Sequence, residues 1–183
     1  MNRCHWVNLN NPLYIKYHDE EWGVPSYDDK YLFEMLVLES FQAGLSWECI
    51  LNKRKAFYKA FDGFNYEIIA KYNDNKINEL ISNKEIVRNK RKILATINNA
   101  KIFMEIQKEY KSFSNYIWSF TNNKIIFNKT GKIIVSNELS DKISKDLKSR
   151  GMSFVGTTII YSYLQAIGII NDHELTCDFR KKD

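Results

Sequence analysis

The sequence predicts an all-α protein organised as one domain over 1–183, and three observations lead to this class. A chain of 183 residues has the length of a single domain, with room for two small lobes around one core. Hydrophobic residues make up 44% of the chain, which is enough to fill an interior. Seven glycines and two prolines leave few helix breakers, whereas Lys, Glu, Ile and Leu are abundant, and this composition favours helices.

Hydrophobic spacing and capping residues locate the helices along the chain. Apolar residues recur every three or four positions in the first and the longest of them, as on one face of an amphipathic helix. Ser46, Asp74 and Ser140 stand at helix starts, where each side chain can accept a hydrogen bond from a first-turn N–H group. Gly151 and Gly168 stand at helix ends. The predicted helices cover 26–44, 47–61, 66–72, 74–81, 90–110, 112–120, 140–151 and 156–167.

The stretch 124–135 departs from this helical pattern. Two runs rich in β-branched residues, IIF and KIIV, flank the turn-forming sequence NKTG. Such runs on either side of a short turn that contains Asn and Gly are typical of two paired strands. We therefore expect a small β-hairpin near 124–135.

Charge is distributed unevenly along the chain. The net charge is +5, but the first fifty residues hold three basic and eight acidic residues, so they carry −5 and the remainder carries +10. The stretch 84–92 has five positive charges and one negative charge. A block of this kind can neutralise nucleic-acid phosphates, although a solvated Lys-rich surface has the same composition.

The termini and the cysteine count indicate the compartment. Three cysteines cannot form a closed disulfide framework, and this number suits a reducing compartment. The start, MNRCHWVNLNN, lacks the apolar core of a signal peptide. The longest apolar stretch, 154–170, contains Gly, Thr, Ser and Gln and is typical of a buried helix. We expect a cytoplasmic protein without a membrane partner.

Four of the six Cys and His residues lie near the two ends of the chain: Cys4, His18, His173 and Cys177. Two thiolates and two imidazoles suit tetrahedral Zn²⁺, and a shell filled by four protein ligands is structural rather than catalytic. A site of this kind would join the termini and limit the unfolded ensemble. His5 is a competing ligand, and four unrelated residues, with Cys4 simply buried, would give the same spacing.

Aromatic residues are dense in the first fifty positions, where they occur as Trp6, Tyr14, Tyr17, Trp22, Tyr27, Tyr31, Phe33, Phe41 and Trp47. Glu39 lies among them, in the apolar stripe of its predicted helix, where a carboxylate is costly unless it is paired. Aromatic faces beside a carboxylate suit a planar cation that donates hydrogen bonds, such as an alkylated nucleobase, and also suit a quaternary amine. A Glu39 that reaches the surface, or bonds to a Tyr or Lys, fits the pattern as well.

The turn between the first two predicted helices contains Gln42, Gly44 and Leu45. Glycine there permits close approach of another molecule to the backbone, and the apolar Leu45 stands at the tip. An ordinary helix–helix turn with Leu45 in the interior is the alternative.

Several long motifs in one order carry a specific resemblance. They are RCHW…PLYIKYHDEEWGVP, LFEMLVLESFQAGLSW, FVGTTIIYSYLQAIGIINDH and the final Cys. Together they resemble the DNA-3-methyladenine glycosylase I family, bacterial enzymes that remove 3-methyladenine from alkylated DNA. The resemblance spans nearly the whole chain and is weakest at 122–137 and after Cys177.

The resemblance implies a helix-hairpin-helix DNA glycosylase fold, with the DNA-binding hairpin near 77–110, and one structural Zn²⁺ held by the four terminal Cys and His residues. It implies that Glu39 is the catalytic carboxylate of a base pocket, and that the turn after its helix enters the duplex. The pocket would be formed by Trp6, Tyr14, Tyr17, Glu39 and Trp47, and the segment that enters the duplex would contain Gln42, Gly44 and Leu45. From the charge of the stretch 84–92, we expect Lys84, Arg88, Lys90 and Arg91 to contact the phosphates of the DNA. Its expected partners are double-stranded DNA with alkylated bases and the 3-methyladenine product. We expect a monomer that acts on nucleoid DNA in a bacterial cytoplasm.

Two departures from the related families bear on mechanism. The hairpin 83–89 lacks glycine, so Asn83 or Asn89 is the candidate for the left-handed conformation there. The sequence at 109–112, EYKS, offers no Asp, whereas the wider superfamily uses one as its catalytic carboxylate. No Schiff-base lysine stands out, which predicts hydrolysis without strand cleavage. A non-catalytic reader of alkylated bases, a hydrolase with catalytic zinc and a binder of small cations remain alternatives.

Overall fold

Helix α2, Asp29–Gln42, is the buried centre of the computed structural model, which describes residues 1–180. Asp28 begins this helix by accepting hydrogen bonds from the N–H groups of Lys30 and Tyr31. Every side chain from Met35 to Phe41 is buried, as expected for a helix that is enclosed by others. Glu39 therefore lies in the interior of the molecule.

The structure is mainly helical, and its α-helices are α1 Pro12–Glu20, α2 Asp29–Gln42, α3 Trp47–Ala60, α4 Tyr66–Ile69, α5 Asp74–Ser82, α6 Lys90–Tyr110, α7 Phe113–Ser119, α8 Glu138–Ser149 and α9 Thr157–Ala166. A 3₁₀ turn at Asp62–Phe64 follows α3. Helices α3, α6, α7 and α9 pack around α2, and α8 packs on α9. All eight predicted helices are confirmed, with ends that shift by a few residues.

Helix α1 was not predicted, although its signals are present. Asn11 accepts a hydrogen bond from Leu13 N–H, and Pro12 occupies the first helical position, where its missing N–H costs nothing. Of the three predicted caps, Ser46 is confirmed, since its hydroxyl accepts from Cys49 N–H. The other two are wrong by one to three residues, because Asn73 and Asn137 supply the caps instead.

The predicted β-hairpin near 124–135 is wrong. Strand β1, Ile126–Phe127, pairs in parallel with β2, Ile170–Asn171, near the end of the chain. Ile126 N–H donates to Ile169 O at 2.8 Å, so β1 docks against the end of α9 rather than against its neighbour in sequence. An isolated two-stranded hairpin is marginal in water, whereas this pairing buries β2 completely. The second run, 132–135, continues past the turn without forming a strand.

The loop 83–89 joins α5 to α6 and is held by its own side chains. Asn83 and Asn89 both have negative φ, −75° and −120°, so the expected left-handed residue is absent at both. Instead, Asn83 accepts from Glu85 N–H, and Asn89 begins α6 by accepting from Lys92 N–H. Ile86, in the middle of this loop, is buried and packs into the core. Within residues 1–180, no helix is both long and apolar enough to cross a membrane.

Candidate active site and metal cluster

A cavity of about 680 Å³ opens beside α1, α2 and α9. The five residues predicted to form the base pocket all line it: Trp6, Tyr14, Tyr17, Glu39 and Trp47. Tyr14 and Tyr17 reach it from one face of α1, because residues three apart in a helix are neighbours. Trp47 reaches it from the first position of α3, directly after the turn that contains Gln42, which also lines the cavity. The fold thus brings together residues that are spread over forty positions of sequence.

Rings make up one wall of the cavity. The Tyr17 and Trp47 rings lie 5.1 Å apart between centroids, and those of Trp6 and Tyr14 lie 5.5 Å apart. Trp22 packs edge-on against Trp6 at 4.7 Å. A wall of this kind presents negative ring faces, which attract a cation or stack on a planar molecule.

The Glu39 carboxyl lies among these rings. Only 3% of the residue is exposed, and its Oε2 atom has no hydrogen-bond partner among the described residues. Burial raises the pKa of this carboxyl to about 8, because a charge is poorly solvated there. Burial raises the pKa of both Tyr14 and Tyr17, and the charge of Glu39 raises both further, together with that of Glu48 at Tyr14. The indole Nε1 of Trp47 is also buried and has no hydrogen-bond partner within residues 1–180. The cavity wall therefore contains one hydrogen-bond acceptor, Glu39 Oε2, and one donor, Trp47 Nε1, that a bound molecule could satisfy.

The turn after α2 has the geometry of a type II turn. Leu45 N–H donates to Gln42 O at 2.7 Å, with Ala43 at φ −48°, ψ 115° and Gly44 at φ +81°. A positive φ at the third position of this turn favours glycine. Leu45 is 41% exposed at its tip, so the alternative of a buried Leu45 is wrong.

The predicted phosphate-contacting side chains lie on the surface around 83–91. Lys84, Arg88, Lys90 and Arg91 are all exposed, and within the described part of the chain none of them forms an ion pair. The Lys53 ammonium donates to Glu85 O at 3.0 Å and so attaches this loop to α3. The four charges are free to meet a polyanion.

Cys4, His18, His173 and Cys177 converge in one buried cluster. Their ligand atoms all lie within 4.8 Å of one another, and the Cys177 Sγ atom is 3.5 Å from His173 Nδ1 and 3.6 Å from His18 Nε2. Metal–ligand bonds of about 2.3 Å for sulfur and about 2.05 Å for nitrogen give a tetrahedral S–N edge of roughly 3.6 Å. The four residues therefore fit a metal ion of tetrahedral preference.

The surroundings of the cluster orient its imidazoles. His18 Nδ1 is 2.7 Å from Asp19 Oδ1, and Asp19 is paired with Arg3, which leaves His18 Nε2 facing the two cysteine sulfur atoms. His173 Nε2 lies 3.1 Å from Trp22 O, which leaves Nδ1 facing them. Burial lowers the pKa of His173 to about 4, so this imidazole is neutral, as a ligand must be.

His5, the competing ligand, lies outside the cluster. Its side chain is exposed, and its Nδ1 atom contacts the Glu174 carboxylate at the surface. Of these two adjacent residues, Cys4 and not His5 therefore belongs to the metal cluster.

Part of the cavity wall was not predicted. Helix α9 contributes Thr158, Tyr161, Ser162 and Gln165, and Asp172 follows β2. The Asp172 carboxylate accepts from the Tyr161 hydroxyl at 2.7 Å and the Gln165 amide at 2.6 Å. Polar residues on one face of an otherwise apolar helix were the available signal, because such residues are unfavourable in a closed core.

Solved structures with this fold define the class of the protein. It superposes on 3-methyladenine DNA glycosylase I from Staphylococcus aureus with a TM-score of 0.94 and 36% identity, covering 100% of this chain and 98% of that one. A structure of a variant of 3-methyladenine DNA glycosylase I in complex with 3-methyladenine gives the same TM-score of 0.94 at 36% identity, covering 100% and 99%. Fold and site together make this chain an enzyme of the DNA glycosylase class.

Sequence comparison narrows the class to a family. The family model described as methyladenine glycosylase matches residues 6–181. DNA-3-methyladenine glycosylase 1 of Escherichia coli is 42% identical over 180 residues, which are 97% of this chain and 96% of that protein. The chain belongs to the methyladenine glycosylase family, and the resemblance drawn from its motifs is confirmed.

Proposed function

We propose that this enzyme removes 3-methyladenine from alkylated double-stranded DNA in base-excision repair. The observation that carries the proposal is the unpartnered Glu39 carboxyl oxygen inside an aromatic cavity. A buried carboxyl without a partner costs free energy in the folded protein, and a bound cation with hydrogen-bond donors removes that cost. The names of the relatives support the same substrate.

Charge is the basis of the proposed selectivity. Methylation at N3 gives the adenine of the nucleotide a positive charge, whereas unmodified adenine has none. The ring faces of Trp47 and Tyr17 attract this charge, and it lowers the raised pKa of Glu39, so that the carboxylate forms beside it. Each desolvated cation–π contact contributes about 1–2 kcal/mol, which is roughly fivefold to thirtyfold in affinity. Unmodified adenine has no positive charge, so it neither attracts the ring faces in this way nor favours the charged form of Glu39. We therefore expect it to bind the cavity more weakly.

Access to the cavity requires that the base leave the duplex, since its glycosidic bond is otherwise enclosed by stacked neighbours. Leu45 is the apolar side chain that would occupy the vacated stack, with Gln42 and Gly44 beside it. Helix α5, the loop 83–89 and α6 would form the helix-hairpin-helix unit that grips the phosphates. Because the loop has no left-handed residue, Lys84, Arg88, Lys90 and Arg91 would supply the phosphate contacts through side chains.

Hydrolysis follows from the charge of the base. The C1′–N9 bond breaks with its electron pair passing to the base, which leaves as neutral 3-methyladenine without a general acid. A water oxygen bonds to C1′, and the water loses one proton to solvent. The positive charge shifts toward the sugar as the bond breaks, so Glu39 acts as the catalytic carboxylate by electrostatics. The reaction needs no amine nucleophile, and strand cleavage is not expected.

The terminal cluster is the proposed site of one structural Zn²⁺. Cys4, His18, His173 and Cys177 would fill all four positions, which leaves none for a substrate or an activated water. When bound, the ion would supply folding free energy and fix the two ends of the chain. We place the enzyme in the bacterial cytoplasm, acting as a monomer on nucleoid DNA.

Incubation with methylated DNA and identification of the released base tests the proposal. The wild-type protein should release free 3-methyladenine and leave abasic but uncut strands. Glu39→Gln should bind the same DNA without release, and so serves as the matched control. Tight binding of methylated DNA by the wild-type protein without any free base would instead favour a non-catalytic reader. No binding to DNA at low salt would favour a binder of small cations.

A further inference from the structure

Lys92 is a buried lysine outside the cavity wall, and its partners are unusual. Only 6% of the residue is exposed. Its ammonium donates to Phe41 O at 2.8 Å and to Ala43 O at 2.6 Å, and it lies 5.8 Å from the centre of the Phe154 ring. Among the described residues, no carboxylate lies within ion-pair distance of it. Buried charges are ordinarily paired with an opposite charge, whereas this one contacts two neutral carbonyl groups and an aromatic ring.

Those carbonyls are the unpaired end of α2. The last carbonyl groups of a helix have no partner within the helix and carry its negative dipole end, which stabilises a nearby cation. Phe41 lies two residues after Glu39, and Ala43 is the second residue of the type II turn that ends at Leu45. Lys92 itself follows the exposed Lys90 and Arg91 at the start of α6. One ammonium therefore joins the helix of the carboxyl, the turn and the basic loop.

A strained residue closes the third side of this ammonium. Phe154 has φ +57°, which is uncommon for a large side chain and persists only where the surroundings impose it. Its carbonyl accepts from the Ser40 hydroxyl at 3.1 Å. Asn99 of α6 holds the adjacent Ser153 by two hydrogen bonds, at 2.9 and 3.0 Å. The ring over Lys92 is thus fixed by α2 and α6 from both sides.

We propose that Lys92 is a positioning residue that holds the turn 42–45 in register with the basic loop. If the turn opened, a buried ammonium would lose both of its hydrogen-bond acceptors, so the turn is kept closed before DNA arrives. The distance between the basic loop, which binds phosphates, and Leu45, which fills the space left by the extruded base, would then be fixed. This inference rests on the proposed function, because it assigns a role in the same reaction.

A double-mutant cycle between Lys92→Met and Leu45→Ala tests it. If Lys92 acts through the turn, Lys92→Met lowers the single-turnover rate on methylated duplex DNA at least tenfold, and the double variant is no slower than Leu45→Ala alone. Affinity for free 3-methyladenine, which needs no duplex, should stay within twofold of wild type. The Leu45 amide proton should exchange faster in Lys92→Met. Lys108→Met, which removes a charge about 24 Å farther along α6, is the control.

The opposite results overturn the inference. Additive losses in the double variant, or an equal loss of affinity for free 3-methyladenine, would show that Lys92 supports the whole fold and not the turn. Should Lys92→Met fail to fold, Lys92→Gln retains donors without the charge and is judged by the same criteria. If the wild-type protein releases no 3-methyladenine, the proposed function is contradicted. If the wild type is active and Lys92→Met is fully active as well, only this inference is contradicted.

Discussion

The indole of Trp6 lies edge-on against the imidazole of His18, with 5.2 Å between the ring centroids and 68° between the planes. Trp6 lines the cavity, and His18 belongs to the metal cluster. Trp22 repeats the arrangement, since it packs on His173 at 4.6 Å. The cavity and the cluster therefore share a wall, and disorder in the cluster would reach the rings that receive the base.

Removal of the metal should accordingly weaken both stability and base binding. We expect metal analysis to give about one zinc per chain, and we expect Cys177→Ser to lose the metal and to lower the melting temperature. Affinity for 3-methyladenine should fall with it, because Trp6 and Trp22 lose the ordered imidazoles beneath them. Cys49→Ser, which changes a thiol outside the cluster, should have neither effect. A metal-free protein of unchanged melting temperature would contradict the site.

The raised pKa of Glu39 predicts how stability depends on pH. The folded protein keeps the Glu39 proton up to about pH 8, whereas the unfolded chain releases it near 4.5. The free energy of unfolding should therefore fall as pH rises between these values, by up to roughly 5 kcal/mol, and then level off. Glu39→Gln has no ionisable group at this position, so it does not undergo this loss of stability. The melting temperature of Glu39→Gln minus that of the wild type should therefore increase from pH 5 to pH 8.

The comparison with the wild type isolates Glu39, because every other titratable side chain is present in both proteins. Glu105→Gln removes an exposed carboxyl from α6 and serves as the control for a lost surface charge. Melting curves of wild type and Glu39→Gln that stay parallel over this range would mean that Glu39 is not buried as an acid. Together with loss of 3-methyladenine excision, a more stable Glu39→Gln would show that the carboxyl is kept for function at the expense of stability.

Local signals were sufficient for the helices and insufficient for the sheet. Helix α6 begins and ends where its periodicity predicts, at Lys90 and Tyr110, because a long amphipathic pattern is specified by its own residues. The strand at Ile126 pairs with residues more than forty positions away, and no local pattern identifies that partner. Turn residues alone gave the wrong pairing there.

The site shows the same division. Chemistry alone suggested that four terminal Cys and His residues could share an ion, and the fold brings them together. In the sequence, Lys92 belongs to the basic stretch 84–92, whereas the structure buries it against α2. Lys90, Arg91 and Lys92 have the same charge and are consecutive, so the sequence does not show which of them is buried. The packing of α6 against α2 decides it.

The exposed basic loop predicts a salt-dependent contact with DNA. Replacing Lys90 and Arg91 by Ala should weaken binding to duplex DNA. The plot of log affinity against log salt should become less steep by about two units, since each phosphate contact accounts for about one. The loss should be similar for methylated and unmethylated DNA, because phosphates carry no base information. Lys101→Ala with Lys108→Ala removes two exposed charges from the same helix and is the matched control. An unchanged slope would remove the loop from the interface.

The exposed tip of the turn predicts a variant that loses activity without losing stability. Leu45 is 41% exposed, so Leu45→Ala should change the free energy of unfolding by less than about 0.5 kcal/mol. Excision from duplex DNA should nevertheless fall at least tenfold, because nothing then occupies the gap left by the extruded base. A single-stranded or mismatched substrate, in which the base is already unstacked, should be affected less. Ile68→Ala truncates a side chain that is 46% exposed on α4 and should leave excision from all three substrates unchanged. If Leu45→Ala slows all three substrates equally, Leu45 supports the cavity and does not enter the duplex.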